Sequence, residues 1–342
     1  MPAPQIGAAM EPGAAQSRRP ILVIALGGNA ITRAADDRSV EAQFGRTRAT
    51  IELLLPVIAS RRWRMVITHG NGPQVGNVLL RSDLAAEAGA LPRLSIDVAV
   101  SDTQGGMGYM IQQVLGNAMW EAGLHQPAAT VITQVIVDEH DPAFRDPSKP
   151  VGRFYPEGSL EDLEAHGWAM KPDGQGRGWR RVVPSPEPEE IVELPVVAEL
   201  LAGGVIVIAC GGGGIPVVAG AAGSLEGVEA VIDKDLASAL LARELKADTL
   251  AILTEVEHAY TGYGTGDQRA LGELDVDALR TLAAEGHFAP GSMGPKVEAA
   301  ARFVEGGGVQ AVITDPEHLE AALDGRAGTR VISPPMTEPG DG

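Results

Sequence analysis

Short apolar segments recur along the chain, and glycine-rich turns follow three of them. They cover residues 21–26, 65–68, 130–137, 205–209, 250–253, 309–313 and 330–332. Because these segments are largely continuous rather than alternating with polar residues, both faces of the corresponding strands are expected to be buried. Such strands are typical of a parallel β-sheet that is covered by helices on both sides.

Helical patterns lie between these segments, at residues 47–61, 73–87, 108–122, 195–202, 236–246 and 296–305. Gly89, Gly123 and Gly203 follow three of them and are predicted to end those helices in the left-handed conformation. The alternation of strands and helices predicts an α/β fold, a three-layer αβα sandwich around a mainly parallel central sheet.

Glycine-rich turns follow the first, second and fourth predicted strands. They contain Gly27, Gly28 and Asn29, then Gly70, Asn71 and Gly72, and finally Gly211, Gly212, Gly213 and Gly214. In parallel sheets, ligands bind at the carboxyl ends of strands, and glycine lets backbone N–H groups approach an anion. Tight-turn chemistry explains any one of these turns equally well. Three of them at strand ends predict a shared anion-binding site.

The chain has five lysines against 22 arginines, and three of the five lie in loops of Gly, Pro and Asp. These three are Lys149, Lys234 and Lys296. A compact ammonium group and a planar guanidinium are not interchangeable, and phosphate chemistry is a common reason to retain the former. Lys171 and Lys246 are exceptions to this argument, and Lys246 is predicted to occupy a solvated helix position.

Lys234 stands between Asp233 and Asp235 at the start of a predicted helix, and Lys296 lies in the first turn of another. Either aspartate can cap the first helix, and the charged triplet can also be a surface cluster. In the functional interpretation, Lys234 neutralises charge on a transferring phosphoryl group while Asp235 holds its ammonium in place. A lysine at a helix N-terminus opposes the helix dipole, which makes sense for Lys296 if an anion shares the site.

Residues 138–185 interrupt the strand–helix alternation and carry Lys149. They are rich in Pro, Gly and Asp, and a short acidic stretch at 160–165 is the only helical pattern among them. Long segments of this kind inside a compact fold are usually functional. We interpret this one as a small protruding lid subdomain; a plain surface excursion is the alternative.

The charge balance excludes several partners. Lys plus Arg number 27 and Asp plus Glu number 45, for a formal net charge of −18. Nucleic acids and anionic membrane surfaces are therefore not expected as partners. No apolar stretch approaches the length of a membrane span. The single cysteine, Cys210, excludes an intrachain disulfide and is interpreted as a small buried apolar residue.

Residues 1–19 lack the apolar core of a secretory signal and are predicted to be a disordered extension. Residues 336–342 are predicted to be a flexible tail, and residues 20–335 a single domain that includes the lid. A cytoplasmic location is expected.

Several familiar motifs are absent from the sequence. It contains no Gly-x-x-x-x-Gly-Lys-Ser/Thr, no Gly-x-Ser-x-Gly and no His-Glu-x-x-His, and no predicted strand leads into Gly-x-Gly-x-x-Gly. The seven histidines are scattered, so no protein-ligated metal is predicted. His69 precedes a glycine turn and is interpreted as a packing or hydrogen-bonding residue rather than a catalytic one.

Eight motifs occur in an order that resembles the carbamate kinases, which have the amino acid kinase fold. They are GGNA at 27–30, THGNGPQVG at 68–76, TQG at 103–105, and the motifs at 141–150, 177–186, 210–216, 227–242 and 286–293. The resemblance extends from about residue 20 to residue 333. It implies a homodimeric ATP:carbamate phosphotransferase that makes ATP from ADP and carbamoyl phosphate, usually in catabolism such as that of arginine.

The resemblance also implies roles for residues at matching positions. Lys149, Lys234 and Lys296 would contact the transferring phosphoryl group, and Asp235 would orient the lysines. The backbone at Gly27, Gly28, Asn29, Gly70, Asn71, Gly72, Gly212 and Gly213 would hold carbamate and phosphoryl oxygens, and Tyr260, Tyr263 and Met293 would lie on the nucleotide side. Mg²⁺ would ride on the phosphates of ATP or ADP with few protein ligands.

The chain departs from the family at two positions. Gly262 stands where the family usually has Asn, on the adenine side. Asp102 precedes Thr103 where an apolar Met is expected. A carboxylate near an anion site could alter the choice of substrate, whereas a solvent-facing helix cap would not.

The residues leave two other functions open. One is an enzyme of the same fold that phosphorylates another small carboxylate, although the insertion carrying Lys149 argues against it. The other is a non-catalytic nucleotide sensor or scaffold, which three lysines in anion-binding loops disfavour. Carbamate supplies its own oxygen nucleophile, so alignment and charge neutralisation suffice for catalysis.

Overall fold

The structure is a computed structural model that describes residues 19–28, 39–165, 167–173 and 176–334. The predicted N-terminal extension lies outside the described residues except for Arg19. Asn29 and the predicted C-terminal tail also lie outside them.

The described strands and helices alternate through most of the chain. The strands are β1 (Ile21–Leu26), β2 (Arg64–His69), β3 (Ala128–Thr130), β4 (Gln134–Ile136), β5 (Lys149–Tyr155), β6 (Ala169–Pro172), β7 (Trp179–Val183), β8 (Glu190–Ile191), β9 (Ile206–Ile208), β10 (Ile215–Ala219), β11 (Leu225–Gly227), β12 (Thr249–Leu253), β13 (Tyr260–Thr261), β14 (Arg269–Ala270), β15 (Glu273–Asp275), β16 (Gln310–Thr314) and β17 (Thr329–Ile332). The helices are α1 (Val40–Ala59), α2 (Gln74–Glu87), α3 (Ile96–Glu121), α4 (Leu160–Ala165), α5 (Leu194–Ala202), α6 (Lys234–Glu244), α7 (Val276–Ala284), α8 (Met293–Glu305) and α9 (Leu319–Leu323).

Eight strands form the central sheet in the order β15-β17-β16-β12-β1-β2-β9-β3. Neighbouring strands run parallel except β16 and β17, which are antiparallel. The predicted α/β fold with a mainly parallel central sheet is therefore confirmed. The strands that precede the three glycine turns, β1, β2 and β9, are adjacent and parallel, so the turns meet at one edge of the sheet.

The central strands supply two separate hydrophobic cores, one on each face of the sheet. On β1, Leu22 and Ile24 belong to the core that contains buried residues of α1, α3 and α9. Val23 belongs to the opposite core, with residues of α5, α6, α7 and α8. Successive side chains of a strand point to opposite faces. The continuous apolar runs thus predicted the helix layers on both sides.

The prediction of one strand at residues 130–137 is wrong. The structure has two strands there: β3 lies at an edge of the central sheet, and β4 lies in a four-stranded sheet of order β11-β10-β4-β8. Thr133 separates them, and its backbone N–H and C=O each bond to the side-chain amide of Gln104, at 2.9 Å. A buried glutamine thus replaces strand pairing at this residue.

Three local predictions also need correction. Helix α3 begins at Ile96, well before the predicted start at 108, because a polar and glycine-rich stretch hides its helical pattern. Gly203 is not left-handed; Gly204 is, with φ of +81°. Lys246 is not in a helix but follows α6 in the left-handed conformation, with φ of +51°.

Residues 138–185 contain a small antiparallel sheet of order β5-β7-β6 and the short helix α4. The side chains at the base of this sheet are buried against the main body: Val151 and Val183 share a third hydrophobic core with Val75 and Leu79 of α2. The strand that begins at Lys149 is thereby packed against α2. None of the described helices combines the length and apolar character that crossing a bilayer requires.

Two adjacent leucines of α1 test the assignment of the core. Leu54 is fully buried under the sheet, whereas Leu53 is 41% exposed. We expect Leu54→Ala to lower the free energy of unfolding by about 3 kcal/mol, since it leaves a cavity. Leu53→Ala changes the helix propensity by the same amount as Leu54→Ala, but it should lower the free energy of unfolding by less than about 1 kcal/mol. Urea unfolding of both variants measures the difference, and equal losses would contradict this packing.

Candidate functional site

One buried carboxylate, that of Asp235, binds two lysines. Its Oδ1 accepts a hydrogen bond from Lys234 Nζ, and its Oδ2 accepts one from Lys296 Nζ at 2.8 Å. The Asp235 side chain is only 5% exposed. Residues 61 positions apart in the sequence are thus held as one charged group.

The N-terminal cap of helix α6 positions Lys234 and Asp235. Asp233 is its N-cap, and Asp233 Oδ1 accepts hydrogen bonds from the backbone N–H groups of Asp235 and Leu236, at 2.9 and 3.4 Å. Such caps satisfy N–H groups that have no partner within the helix. The cap fixes Lys234 and Asp235 in the first helical turn.

A third lysine reaches the same segment from the three-stranded sheet. Lys149 Nζ lies 2.8 Å from Asp233 Oδ2, the carboxylate oxygen that does not cap the helix. Lys149 is the first residue of β5, and it is more exposed than the other two lysines. The structure therefore brings together all three lysines that the sequence singled out, together with Asp233, whose link to Lys149 sequence reasoning missed.

The charges of this cluster do not cancel. Three ammonium groups face two carboxylates, which leaves one positive charge in excess. Burial opposes ionisation of Asp235, but Lys234 and Lys296 outweigh it and hold the pKa of Asp235 at about 2. Burial lowers the pKa of Lys234; Asp235 counteracts this shift, whereas Lys296 adds to it. An anion placed beside the lysines would stabilise their charged forms.

The first two glycine turns touch each other and Lys234. A Cβ atom on Gly28 would stand 3.1 Å from Gly72 Cα, and one on Gly70 would stand 3.4 Å from Lys234 Cδ. Gly72 is left-handed, with φ of +49°. Side chains on these glycines would fill the space between the turns and the lysine. Gly27 lies against the end of β12, and Asn29 lies outside the described residues.

The third turn packs against the second. A Cβ atom on Gly212 would overlap the side-chain amide of Asn71, and Gly212 is left-handed, with φ of +68°. Asn71 Oδ1 accepts a hydrogen bond of 2.9 Å from Thr103 Oγ1 of α3. A Cβ atom on Gly213 would overlap the carbonyl of Ile232, just before the helix cap. All three turns therefore surround the start of α6.

His69 supports the second turn from inside the protein. Its ring is buried, and Nδ1 lies 3.1 Å from the carbonyl oxygen of Gly70, so Nδ1 must carry the hydrogen and donate. Burial lowers the pKa of His69 to about 4; the bond to Gly70 opposes this shift, and the charge of Lys234 adds to it. His69 is therefore neutral at pH 7, as a hydrogen-bonding residue would be.

The residues predicted on the nucleotide side lie at the same edge of the sheet. Tyr260 and Tyr263 follow β12, and their ring centroids are 5.9 Å apart. Met293 is the first residue of α8, one turn before Lys296. Gly262 is left-handed, with φ of +58°, a conformation that Asn also tolerates better than most residues. The exchange of Asn for Gly thus preserves the backbone.

Asp102 is exposed, as the solvent-facing alternative expects, but it lies within α3, six residues beyond its first residue, and is not a helix cap. Its neighbours Thr103 and Gln104 are buried and face the site.

Cys210 is fully buried, as interpreted from the sequence, and burial raises the pKa of its thiol. Among the residues that the structure describes, no three His, Cys, Asp or Glu side chains are grouped so as to hold a metal.

Known proteins share both the sequence and the fold of this chain. The model of the amino acid kinase family matches residues 20–315. A carbamate kinase of Thermococcus kodakarensis is 50% identical over 312 residues, which are 91% of this chain and 98% of the relative. That of Pyrococcus furiosus is 49% identical with the same coverage. The solved structure of a Giardia lamblia carbamate kinase bound to AMP-PNP is 41% identical, covers 93% of this chain and 100% of its own, and superimposes with a TM-score of 0.87.

The buried neutral imidazole of His69 predicts a pH dependence of stability. The His69 imidazole binds a proton below about pH 6.5 in the unfolded chain, but only below about pH 4 in the folded chain. The free energy of unfolding should therefore fall by about 2 kcal/mol between pH 7.5 and pH 5 because of this residue. Denaturant unfolding of His69→Gln at pH 7.5 and at pH 5 should show that the free energy of unfolding no longer falls by this amount. His140 is exposed, and His140→Gln should behave like the parent protein. Identical pH profiles for the parent and His69→Gln would contradict the assignment.

Proposed function

The chain belongs to the amino acid kinase family, in its carbamate kinase branch, and from this premise we propose how its lysine cluster performs the reaction. A phosphoryl group is transferred directly between carbamoyl phosphate and ADP, giving carbamate and ATP, and the reverse reaction uses the same site. The observation that carries this proposal is the shared carboxylate of Asp235. It holds Lys234 and Lys296 together beside the turns at Gly28 and Gly70.

The transfer requires no proton. An oxygen of the ADP β-phosphate attacks the phosphorus of carbamoyl phosphate in line, and the bond from phosphorus to the carbamate oxygen breaks with its electrons left on carbamate. Negative charge then spreads over the equatorial oxygens of the phosphoryl group. Lys234 and Lys296 neutralise that charge, and Asp235 keeps both ammonium groups in place before the substrate arrives.

Backbone groups complete the site. The backbone N–H groups of Gly27, Gly28 and Gly72 are proposed to bind the anion together with the lysines. The N–H of Gly70 donates to the Leu26 carbonyl at 3.2 Å, so Gly70 is proposed to contribute by leaving room for the oxygens beside Lys234. Gly212 and Gly213 are proposed to border the same phosphate-binding site: Gly212 packs against Asn71 of the second turn, and Gly213 packs against Ile232 just before α6. Asn29, which lies outside the described residues, belongs to the same proposal on the resemblance alone.

Lys149 approaches this site from residues 138–185, which we propose act as a lid within a single domain formed by residues 20–335. Its contact with Asp233, beside Lys234, supports that role. Tyr260, Tyr263 and Met293 are proposed to bind the nucleotide from the adjacent end of the sheet.

Mg²⁺ fits this site as a companion of the nucleotide rather than as a protein-bound ion. Asp233 and Asp235 already bind lysines, so each has little capacity left for a cation. When bound, Mg²⁺ supplies charge neutralisation on the nucleotide phosphates.

We also propose that the chain is a cytoplasmic homodimer that works in arginine catabolism. Partly exposed apolar side chains of α3, including Val98, Tyr109 and Trp120, provide surface for a second subunit. Light scattering should give twice the chain mass of 35.5 kDa. Cell fractionation tests the cytoplasmic location, and growth on arginine tests the role in arginine catabolism.

The direct test of the reaction is a coupled assay that measures ATP formed from ADP and carbamoyl phosphate. We expect turnover with carbamoyl phosphate and at least about 100-fold lower kcat/KM with acetyl phosphate, because the site is proposed to recognise carbamate. Preference for acetyl phosphate or another acyl phosphate would favour an enzyme for a different carboxylate. Nucleotide binding without any turnover would favour a sensor.

Substitution of the lysines tests which groups stabilise the transition state. Lys234→Ala and Lys296→Ala should each lower kcat by about 10²–10⁴, equivalent to about 3–5 kcal/mol. Lys234→Arg keeps the charge but replaces the compact ammonium group with a planar guanidinium, so it should also be impaired. Lys171 pairs with Asp146 on the surface, and Lys171→Ala should retain the parent rate. A parent-like rate for Lys234→Arg would reject the requirement for an ammonium group.

A further inference from the structure

We propose that Gly76 and Gly152 are positioning residues for Lys149. They form a backbone-to-backbone contact between helix α2 and strand β5, and this contact sets how far Lys149 extends over the site. The inference rests on the proposed role of Lys149 in phosphoryl transfer and goes beyond it, because neither glycine touches a reacting group.

The two backbones are in contact without any side chain between them. A Cβ atom on Gly76 would stand 3.2 Å from Gly152 Cα and 3.3 Å from Gly152 N. These distances are tighter than ordinary van der Waals contact, so any side chain at residue 76 would push β5 away by a few tenths of an ångström. A glycine inside a helix is unfavourable compared with alanine, and here the close approach of a second backbone explains it.

Gly152 is itself held in an unusual conformation. It is left-handed, with φ of +71°, and lies where the pairing of β5 with β7 shifts register between Val151 and Phe154. Its carbonyl oxygen accepts a hydrogen bond of 2.9 Å from Arg180 Nη2 of β7. The Arg180 guanidinium also lies over the ring of Phe154, at 5.2 Å. The register shift at Gly152 is therefore held by a hydrogen bond from β7 as well as by the contact with α2.

Lys149 is three residues from this fixed point, on the same strand. Between them, Val151 is buried in the core that also contains Val75 of α2, the residue before Gly76. Pairing with Val183 of β7 restrains the backbone of Lys149 itself. A displacement at Gly152 is thus transmitted along β5 to the ammonium group that reaches Asp233.

Helix α2 also carries the second glycine turn at its N-terminus. Gly72 lies two residues before the first residue of α2, and Gly76 lies in the first turn of the same helix. Helix α2 therefore does two things. It carries the turn that is proposed to bind the phosphoryl oxygens, and it provides the surface that contacts β5, the strand of Lys149. The distance between the turn and the lysine is thereby set by α2.

The test is a double-mutant cycle between residues 76 and 149. We expect Gly76→Ala to lower kcat by about 10-fold, since sub-ångström misplacement of a catalytic group has effects of this order. The KM for ADP should stay within about twofold, because the nucleotide side is untouched. Gly45 is an exposed glycine within α1 with open space around it, and Gly45→Ala should match the parent.

The cycle separates positioning from general damage. If Gly76 acts through Lys149, Gly76→Ala should cause no further loss in a Lys149→Ala background. Arg180→Met removes the hydrogen bond to the Gly152 carbonyl and should show the same dependence on Lys149. A parent-like rate for Gly76→Ala, or equal losses from either variant with and without Lys149, would overturn the proposal.

The Lys149→Ala variant distinguishes failure of this inference from failure of the reaction mechanism. A parent-like rate for Lys149→Ala would remove both the role of Lys149 and the positioning proposal, while leaving transfer by Lys234 and Lys296 intact. An impaired Lys149→Ala variant with additive loss from Gly76→Ala would overturn the positioning proposal alone.

Discussion

The site depends on one buried carboxylate that binds two ammonium groups from distant parts of the chain. Asp235 would be costly to bury alone, and Lys234 and Lys296 would repel each other without it. Together they form a charged unit whose geometry is fixed before any ligand arrives. Because two ammonium groups share one carboxylate, and the pair of Lys149 and Asp233 adds no net charge, the unit keeps one positive charge in excess and attracts an anion.

The parallel sheet brings the glycine turns to this charged unit. It places β1, β2 and β9 side by side, so the glycine turns that follow them meet above the start of α6. The two hydrophobic cores, one on each face of the sheet, hold these strands in place. Preorganised dipoles and charges of this kind stabilise a transition state without reorganising during the reaction.

Much of this arrangement was predictable from the sequence because local rules apply to it. Unbroken apolar runs identify strands buried on both faces, and glycine after such a strand marks the ligand-binding edge. The contact of Lys149 with Asp233 was not predictable, since it joins residues 84 positions apart through tertiary packing. The start of α3 was missed for a related reason: its polar residues Thr103 and Gln104 are buried to bond Asn71 and Thr133, so their chemistry hides the helix.

The two oxygens of Asp233 have different tasks. Oδ1 accepts hydrogen bonds from the first N–H groups of α6, and Oδ2 accepts the ammonium of Lys149. Loss of the Lys149 ammonium, as in Lys149→Ala, would therefore leave the helix capped and the paired lysines in place. The contribution of Lys149 is therefore separable from the geometry that holds Lys234 and Lys296 together.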